Sequence, residues 1–197
     1  NYRQRVKVGE AKINTTGLQP HQLVKGYMNY DPVCDDTVEL QWQAMMDKLL
    51  SGGGSLGSSM CVVDVSGSMH GEPMEVAIAL GLMASGLSEA PFKNTVITFD
   101  DHPSLFNVTG ETLMEKVHQL QHAPWGGSTD FEATLMLVLN MAVTFKVPPA
   151  NMVKTLFVFT DMQFNSATHT PEETIYRVCK AKYAKAGYPF PNIVFWN

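Results

Sequence analysis

The side chains most suited to chemistry are Asp64, Ser66 and Ser68, which alternate directly after the apolar run at residues 60–63. An apolar run bounded by polar residues is typical of a buried strand in a parallel sheet. The alternation begins where the chain leaves this strand, and Gly67 allows the backbone to curl so that the three oxygens converge. One carboxylate and two hydroxyls form a hard, oxygen-rich group that suits Mg²⁺ or a similar divalent ion better than zinc.

Two later segments add further oxygen ligands to this group. A second apolar strand at residues 156–160 ends at Asp161, and the glycine-bearing loop at residues 126–131 contains Thr129 just before a helix-like stretch. In an open α/β sheet, sites form outside the carboxyl ends of the strands, where neighbouring loops meet. We therefore predict one metal cup made of Asp64, Ser66, Ser68, Thr129 and Asp161.

This set of residues resembles the metal-ion-dependent adhesion site of von Willebrand factor A domains. The pattern of that family is Asp-x-Ser-x-Ser, then a threonine in a second loop, then an aspartate after a central strand. The five residues match it in order, and the resemblance extends from about Met60 to the end of the chain. Among A domains, the sequence resembles those of Ro-type (TROVE) RNA-binding proteins. It looks still closer to the C-terminal module of a related uncharacterised eukaryotic family, on stretches such as residues 73–82 and 193–197.

The resemblance implies a non-enzymatic module for protein–protein interaction. Mg²⁺ is the expected ion, with Ca²⁺ or Mn²⁺ able to replace it, and it takes six oxygens at ~2.0–2.1 Å while keeping several waters. We expect Ser66 and Ser68 to bind it directly, Thr129 directly or through water, and Asp64 and Asp161 in either way. One position then stays open for a Glu or Asp that a protein partner supplies.

The order of apolar runs and helical stripes predicts an α/β fold. We expect three α/β/α layers around a mostly parallel, Rossmann-like central sheet with one antiparallel edge strand, as in von Willebrand factor A domains. The predicted strands lie near residues 60–65, 94–99, 104–108, 155–160 and 192–196. The predicted helices that connect them lie near residues 72–89, 111–121, 131–145 and 171–186.

The chain divides into a helical extension at residues 1–57 and an A-like domain at residues 58–197. After Asp35, apolar residues at helical spacing predict a helix that packs onto the sheet domain. The Gly- and Ser-rich stretch at residues 51–57 is typical of a flexible linker. Because A domains usually continue with one more strand and a terminal helix, we expect the domain to be truncated at its C-terminus.

Composition limits the partners and the compartment. A formal net charge of −5 argues against nucleic-acid binding by this fragment alone, so we expect RNA to be bound only through regions outside it. No apolar stretch approaches the ~20 residues of a membrane span, so we expect no membrane partner. The three cysteines have no framework spacing, and Cys61 lies within the first core strand as a small hydrophobe. We therefore expect a reducing, cytoplasmic setting.

Two other functions stay open at this stage. In the first, the domain braces a larger protein and its metal merely ties three loops together. In the second, the chain is a Mg²⁺-dependent phosphotransferase of the haloacid-dehalogenase type, whose Asp-x-Asp motif also follows a first strand. Ser66 stands where that motif needs its second acid, and no Gly-Lys-Ser/Thr follows a strand. A smaller question is Asp130, which we interpret as a helix cap rather than a loop brace.

Overall fold

The computed structural model describes residues 2–99, 102–123, 130–161 and 172–196. A five-stranded β-sheet lies at the centre of this part of the chain. Its strands are β1 (Ser59–Val63), β2 (Thr95–Thr98), β3 (Leu105–Asn107), β4 (Thr155–Phe159) and β5 (Asn192–Trp196). The α-helices in the same residues are α1 (Tyr2–Lys7), α2 (Pro20–Lys25), α3 (Asp36–Ser51), α4 (Glu72–Leu87), α5 (Leu113–Gln121), α6 (Phe131–Thr144) and α7 (Glu172–Lys185). Short 3₁₀ turns lie at Gly67–Met69 and Pro149–Asn151.

The strand order is β3-β2-β1-β4-β5, and every pairing is parallel except that of β2 with β3. Val62 lies beside Ile97 on one side and beside Val158 on the other, and Phe157 pairs with Val194. The predicted fold class is confirmed: a mostly parallel, Rossmann-like α/β sheet with one antiparallel edge strand and helices on both faces. Helices also precede β1, as predicted for the N-terminal extension.

The side chains of β1 alternate between two separate cores. Cys61 and Val63 face the core that includes α4, whereas Met60 and Val62 face the core that includes α6 and α7. All four are fully buried, as expected for a central parallel strand. Gly81 lets α4 lie close to β1, because a Cβ at that position would collide with a methyl group of Val63. The first helix of the sheet domain is thereby held against the strand that precedes Asp64.

Local chemistry explains where the observed elements are shorter than predicted. The strand predicted from residue 94 begins at Thr95, because Asn94 has a left-handed backbone with φ of 59° that a strand does not accommodate. The helix predicted from residue 111 begins at Leu113. Thr112 is its N-cap and accepts a hydrogen bond from the Glu115 amide at 3.1 Å, while the Glu115 carboxylate accepts from the Thr112 amide at 3.1 Å. This capping box sets the start of α5.

The stretch at residues 51–57 is a hydrogen-bonded loop, although its composition predicts a flexible linker. The Leu56 amide donates to the carbonyl of Leu87 at 3.0 Å, and the Glu89 amide donates to the carbonyl of Gly57 at 2.9 Å. The Ser55 hydroxyl also donates to the Glu89 carboxylate at 2.7 Å. The loop is therefore tied to the end of α4.

The N-terminal extension shares a core with the sheet domain. Leu23, Val24 and Tyr27 are buried among residues of α4 and α5, and Trp42 of α3 joins the same cluster. The prediction that α3 packs onto the sheet domain is confirmed. Burial raises the pKa of the Tyr27 phenol well above its ordinary value, and its oxygen accepts a hydrogen bond from the Asp35 amide at 3.1 Å.

Two of the three cysteines lie in the protein core. Cys61 and Cys179 are fully buried and Cys34 is exposed, and all three are free thiols. Burial raises the pKa of Cys179 to about 11, so this thiol stays protonated and unreactive at neutral pH. The interpretation of Cys61 as a small core hydrophobe is confirmed. In the described part of the chain, no helix is both long and apolar enough to cross a membrane.

Glu39 of α3 joins the extension to α5 by capping it. Its two carboxylate oxygens accept hydrogen bonds from the amides of Leu113 at 2.6 Å and Met114 at 3.1 Å. These amides belong to the first turn of α5, which has no intrahelical partners for them. A negative charge at this end of a helix is also favoured by the helix dipole.

We expect Glu39→Ala to lower the free energy of unfolding by about 1.5–3 kcal/mol, because hydrogen bonds to a charged group are lost. The measurement is urea denaturation followed by circular dichroism. The control is Gln43→Ala on the same helix, where an exposed hydrogen bond to Asp47 is lost and a change within about 0.5 kcal/mol is expected. Equal midpoints for Glu39→Ala and wild type would show that the cap does not join the two parts.

Candidate metal centre

The sheet has its topological switch point between β1 and β4. From β1 the chain passes through α4 to β2 on one side, and from β4 it passes on to β5 on the other side. Loops that leave neighbouring parallel strands in opposite directions open a crevice at the carboxyl ends of those strands, where α/β proteins bind ligands. Asp64 follows β1 directly, and Thr160 and Asp161 follow β4.

Asp64 is fully buried, and donors on two different segments fix its carboxylate. Its Oδ1 accepts a hydrogen bond from the Ser66 amide at 2.9 Å, and its Oδ2 accepts one from the Thr160 hydroxyl at 2.6 Å. Its own amide donates to the carbonyl of Phe159 at 3.0 Å, which extends the pairing of β1 with β4 by one residue. A buried carboxylate needs such partners, because burial without them costs several kcal/mol. The orientation of Asp64 is therefore set before any ligand binds.

Ser66 and Ser68 form a pair of hydroxyls beside this carboxylate. The turn Gly67–Met69 brings their Oγ atoms to 3.0 Å from each other, and the Met69 amide closes the turn on the Ser66 carbonyl at 3.0 Å. Adjacent ligands of an octahedral Mg²⁺ lie about 2.9 Å apart when each is ~2.0–2.1 Å from the ion. The spacing of the hydroxyls thus suits two neighbouring positions of one metal shell. Ser68 is exposed, so the group opens to solvent.

Asp161 lies at the same edge of the sheet as these residues. Val63 pairs with Phe159, so Asp64 and Thr160 stand side by side and Asp161 is one residue further along. Asp161 is half-buried, so its exposure to solvent is intermediate between that of the buried Asp64 and that of the exposed Ser68. Four of the five predicted ligands therefore follow two adjacent central strands. The fifth, Thr129, lies outside the described residues.

Asp130, the neighbour of Thr129, caps α6. Its Oδ1 accepts a hydrogen bond from the Ala133 amide at 2.8 Å, and its carbonyl accepts from the Thr134 hydroxyl at 3.0 Å. The interpretation of Asp130 as a helix cap is confirmed. The carboxylate of Asp130 thus serves the start of the helix.

Thr160 is the site residue that sequence reasoning missed. It is 1% exposed, and its hydroxyl donates to the Oδ2 atom of the Asp64 carboxylate at 2.6 Å. In the sequence it reads as the last β-branched residue of an apolar strand. The only available signal was its place beside Asp161, since a hydroxyl at a strand end can orient a neighbouring carboxylate.

The chemistry of this group follows from its ligand types. Within the described residues no cluster of three or more His, Cys, Asp or Glu side chains is placed to hold a metal. The group has instead two carboxylates and two hydroxyls, which suit a hard cation such as Mg²⁺ rather than a transition metal. Hydroxyls carry no charge, so an ion that they bound directly, with the two carboxylates acting through water, would still attract a further anionic ligand.

Comparison with known proteins identifies a family for the part of the chain that contains this group. Residues 58–197 match the family described as Domain of unknown function (DUF7788). The chain belongs to this family. It is also 45% identical over 196 residues to Uncharacterized protein L728 of Acanthamoeba polyphaga mimivirus. That match covers 100% of this chain and 34% of the viral protein, so the chain spans about a third of the length of this relative.

We expect Thr160→Val to weaken Mn²⁺ binding by about tenfold or more, because loss of a group that orients a metal ligand typically costs 10–100-fold in affinity. Thr160→Ser keeps the hydroxyl and should bind Mn²⁺ as wild type does. Isothermal titration calorimetry with Mn²⁺ measures all three proteins. Equal affinities for wild type and Thr160→Val would mean that the Asp64–Thr160 hydrogen bond does not prepare a metal ligand.

Proposed function

We propose that this DUF7788 chain is a metal-dependent protein-interaction module of the von Willebrand factor A type. In this proposal Asp64, Ser66, Ser68, Thr129 and Asp161 hold one Mg²⁺, and a Glu or Asp of a protein partner completes its coordination. The observation that supports it best is the hydroxyl pair of Ser66 and Ser68. Their oxygens are 3.0 Å apart beside the fixed carboxylate of Asp64, a spacing that suits one octahedral ion.

The ligand types favour capture of an anion over catalysis. Ser66 occupies the position where a phosphotransferase would need a second acid, and a serine hydroxyl has no suitable pKa for proton transfer at neutral pH. An ion bound mainly by hydroxyls and water keeps its attraction for carboxylates. Ca²⁺ or Mn²⁺ could replace Mg²⁺, since both accept oxygen ligands in related geometries.

The wider setting is also part of the proposal. Its basis is the resemblance of the Asp-x-Ser-x-Ser, Thr and Asp pattern to the A domains of Ro-type (TROVE) proteins. We infer an intracellular protein that is larger than this chain and associates with ribonucleoproteins. RNA would be bound by regions outside these 197 residues, because the net charge of −5 disfavours phosphate binding here.

A structural role is the second candidate, and the hydrogen bond between Asp64 and Thr160 favours it. At 2.6 Å this bond already joins the segments that follow β1 and β4. A metal that only tightened the same junction would stabilise the folded state without recruiting a partner. Such a metal would add at most a few kcal/mol at saturating concentration.

We expect Asp161→Ala and the double variant Ser66→Ala/Ser68→Ala to abolish Mg²⁺-dependent partner binding while the fold is kept. The substituted side chains follow strand ends, so the packed cores stay intact. Partners are eluted with EDTA from the immobilised chain, and each purified partner is then measured by calorimetry with Mg²⁺ and with EDTA. The matched control is Asp47→Ala, which removes the same charge from an exposed position on α3.

The two candidate functions give different results in this experiment. Capture through the metal should be abolished by chelator and change little with salt, whereas attraction between surface charges weakens with salt. A partner that binds Asp161→Ala as tightly as wild type in both buffers would refute the metal bridge. A Mg²⁺-dependent rise in melting temperature, without any Mg²⁺-dependent partner, would support the structural role instead.

A further inference from the structure

An apolar groove adjoins the candidate metal centre on the α4 side of the sheet. It encloses about 570 Å³, and Thr160 and Asp161 form part of its wall. The remaining wall is mostly apolar and includes Met69, Pro73, Val76, Ala77, Phe159 and Trp196. The groove is thus continuous with the group of oxygen ligands, since residues that follow β4 belong to both.

The groove continues along α4 towards α2. A second cavity of about 290 Å³ shares Val76 and Trp196 with the first and extends to Leu80 and Pro20. Pro73, Val76 and Leu80 recur at helical spacing, so one apolar stripe of α4 lines both cavities. The combined space is large enough for a bulky side chain and the residues around it.

The sheet is covered unequally at this place. On the far face, Leu156 and Val158 of β4 are buried in one core with Cys179 and Tyr183 of α7. On the groove face, the exposed fraction of Trp196 is 57%, and the described helices beside it are α2 and α4, which line the cavities without closing them. Parallel sheets are normally covered on both faces, so this apolar surface is suited to a bound segment.

The negative charges that line the groove determine which kind of peptide segment it can bind. Asp161 lies on its wall, and Glu72 lies at its rim with a side chain 74% exposed and 3.8 Å from the His21 ring. These carboxylates repel an acidic segment unless a divalent ion binds at the candidate metal centre. With the ion present, one acidic residue is attracted to the metal, while Glu72 favours a basic residue nearby.

We propose that the groove receives a large apolar side chain from the same partner segment whose Glu or Asp binds the metal. This inference rests on the proposed function. Because Thr160 and Asp161 belong to both the groove and the candidate metal centre, and an extended chain advances ~3.3 Å per residue, we expect the apolar side chain within about three residues of the acid. A basic residue of the segment faces Glu72. The recognised segment therefore combines one acidic, one large apolar and one basic residue.

A peptide array tests this pattern with defined probes. Nonapeptides have a central Glu, and each flanking position is varied among Leu, Phe, Lys, Glu, Ser and Gly; a matched set has Gln at the centre. The 197-residue chain is applied with Mg²⁺ or with EDTA. We expect Leu or Phe at one flanking position to increase binding about tenfold or more over Gly, only with central Glu and Mg²⁺.

Substitutions in the groove test whether it causes the preference for Leu or Phe. Val76→Asp should remove the preference for Leu or Phe while Mn²⁺ affinity, measured by calorimetry, stays that of wild type. Trp196→Gln should do the same, and because Trp196 is largely exposed this variant keeps the fold if Val76→Asp does not. Glu72→Lys should change the preferred charged residue from Lys to Glu at one position. Val143→Asp, at an exposed valine of α6, is the control and should leave the array unchanged.

The possible failures are distinguishable. If peptides with central Glu bind with Mg²⁺ but show no apolar preference, the groove inference is overturned and the proposed function stands. If no peptide binds in a Mg²⁺-dependent way, the proposed function fails and the inference with it. Sedimentation velocity tests whether a second copy of the chain fills the groove instead. If the wild-type chain is a dimer and Val76→Asp is a monomer, a second copy fills the groove and the inference is overturned.

Discussion

The architecture of the site depends on the buried carboxylate of Asp64. Water cannot solvate it, so protein donors must, and the Ser66 amide and the Thr160 hydroxyl supply those hydrogen bonds. The Ser66 amide belongs to the same loop as Asp64, but the Thr160 hydroxyl can reach the carboxylate only if β1 and β4 are neighbours in register, with Val63 beside Phe159. The strand order that creates the switch point therefore also supplies a hydrogen bond that the buried carboxylate needs.

The helices around the site pack against the strands that carry it. Gly81 allows α4 to pack closely on β1, the strand that precedes Asp64. The extension supports α4 from outside: Lys25 of α2 lies 3.5 Å from the carboxylate of Glu75, which is 9% exposed. No hydrogen-bond partner for the Oε2 atom of Glu75 is found among the described residues, so the ion pair with Lys25 is its main compensation. The extension and the sheet domain thus depend on one another, although the family match begins at residue 58.

Much of this arrangement could be predicted from the sequence, because it follows from local patterns. Apolar runs such as 60–63 and 156–159 are typical of central strands, and polar residues directly after such strands lie at the edge of the sheet where parallel strands end. The cap at Asp130 follows from residue type and position alone. Tertiary contacts were beyond such reasoning. Thr160 looks like an ordinary strand threonine until β1 is seen beside it, and Glu39 lies 74 residues from the Leu113 amide that it caps. The exposed side of Trp196 is likewise invisible in a run that reads as a buried strand.

Crystallography with Mn²⁺ shows whether Asp64 is held in place for a metal. Crystals of the chain are soaked in Mn²⁺, and anomalous scattering locates the ion without reference to any partner. We expect one strong peak within about 2–2.5 Å of the Ser66 and Ser68 hydroxyls, with Asp64 and Asp161 bound directly or through water. A peak elsewhere, or none at this place when Mn²⁺ is saturating and the crystal lattice leaves the serines accessible, would contradict it.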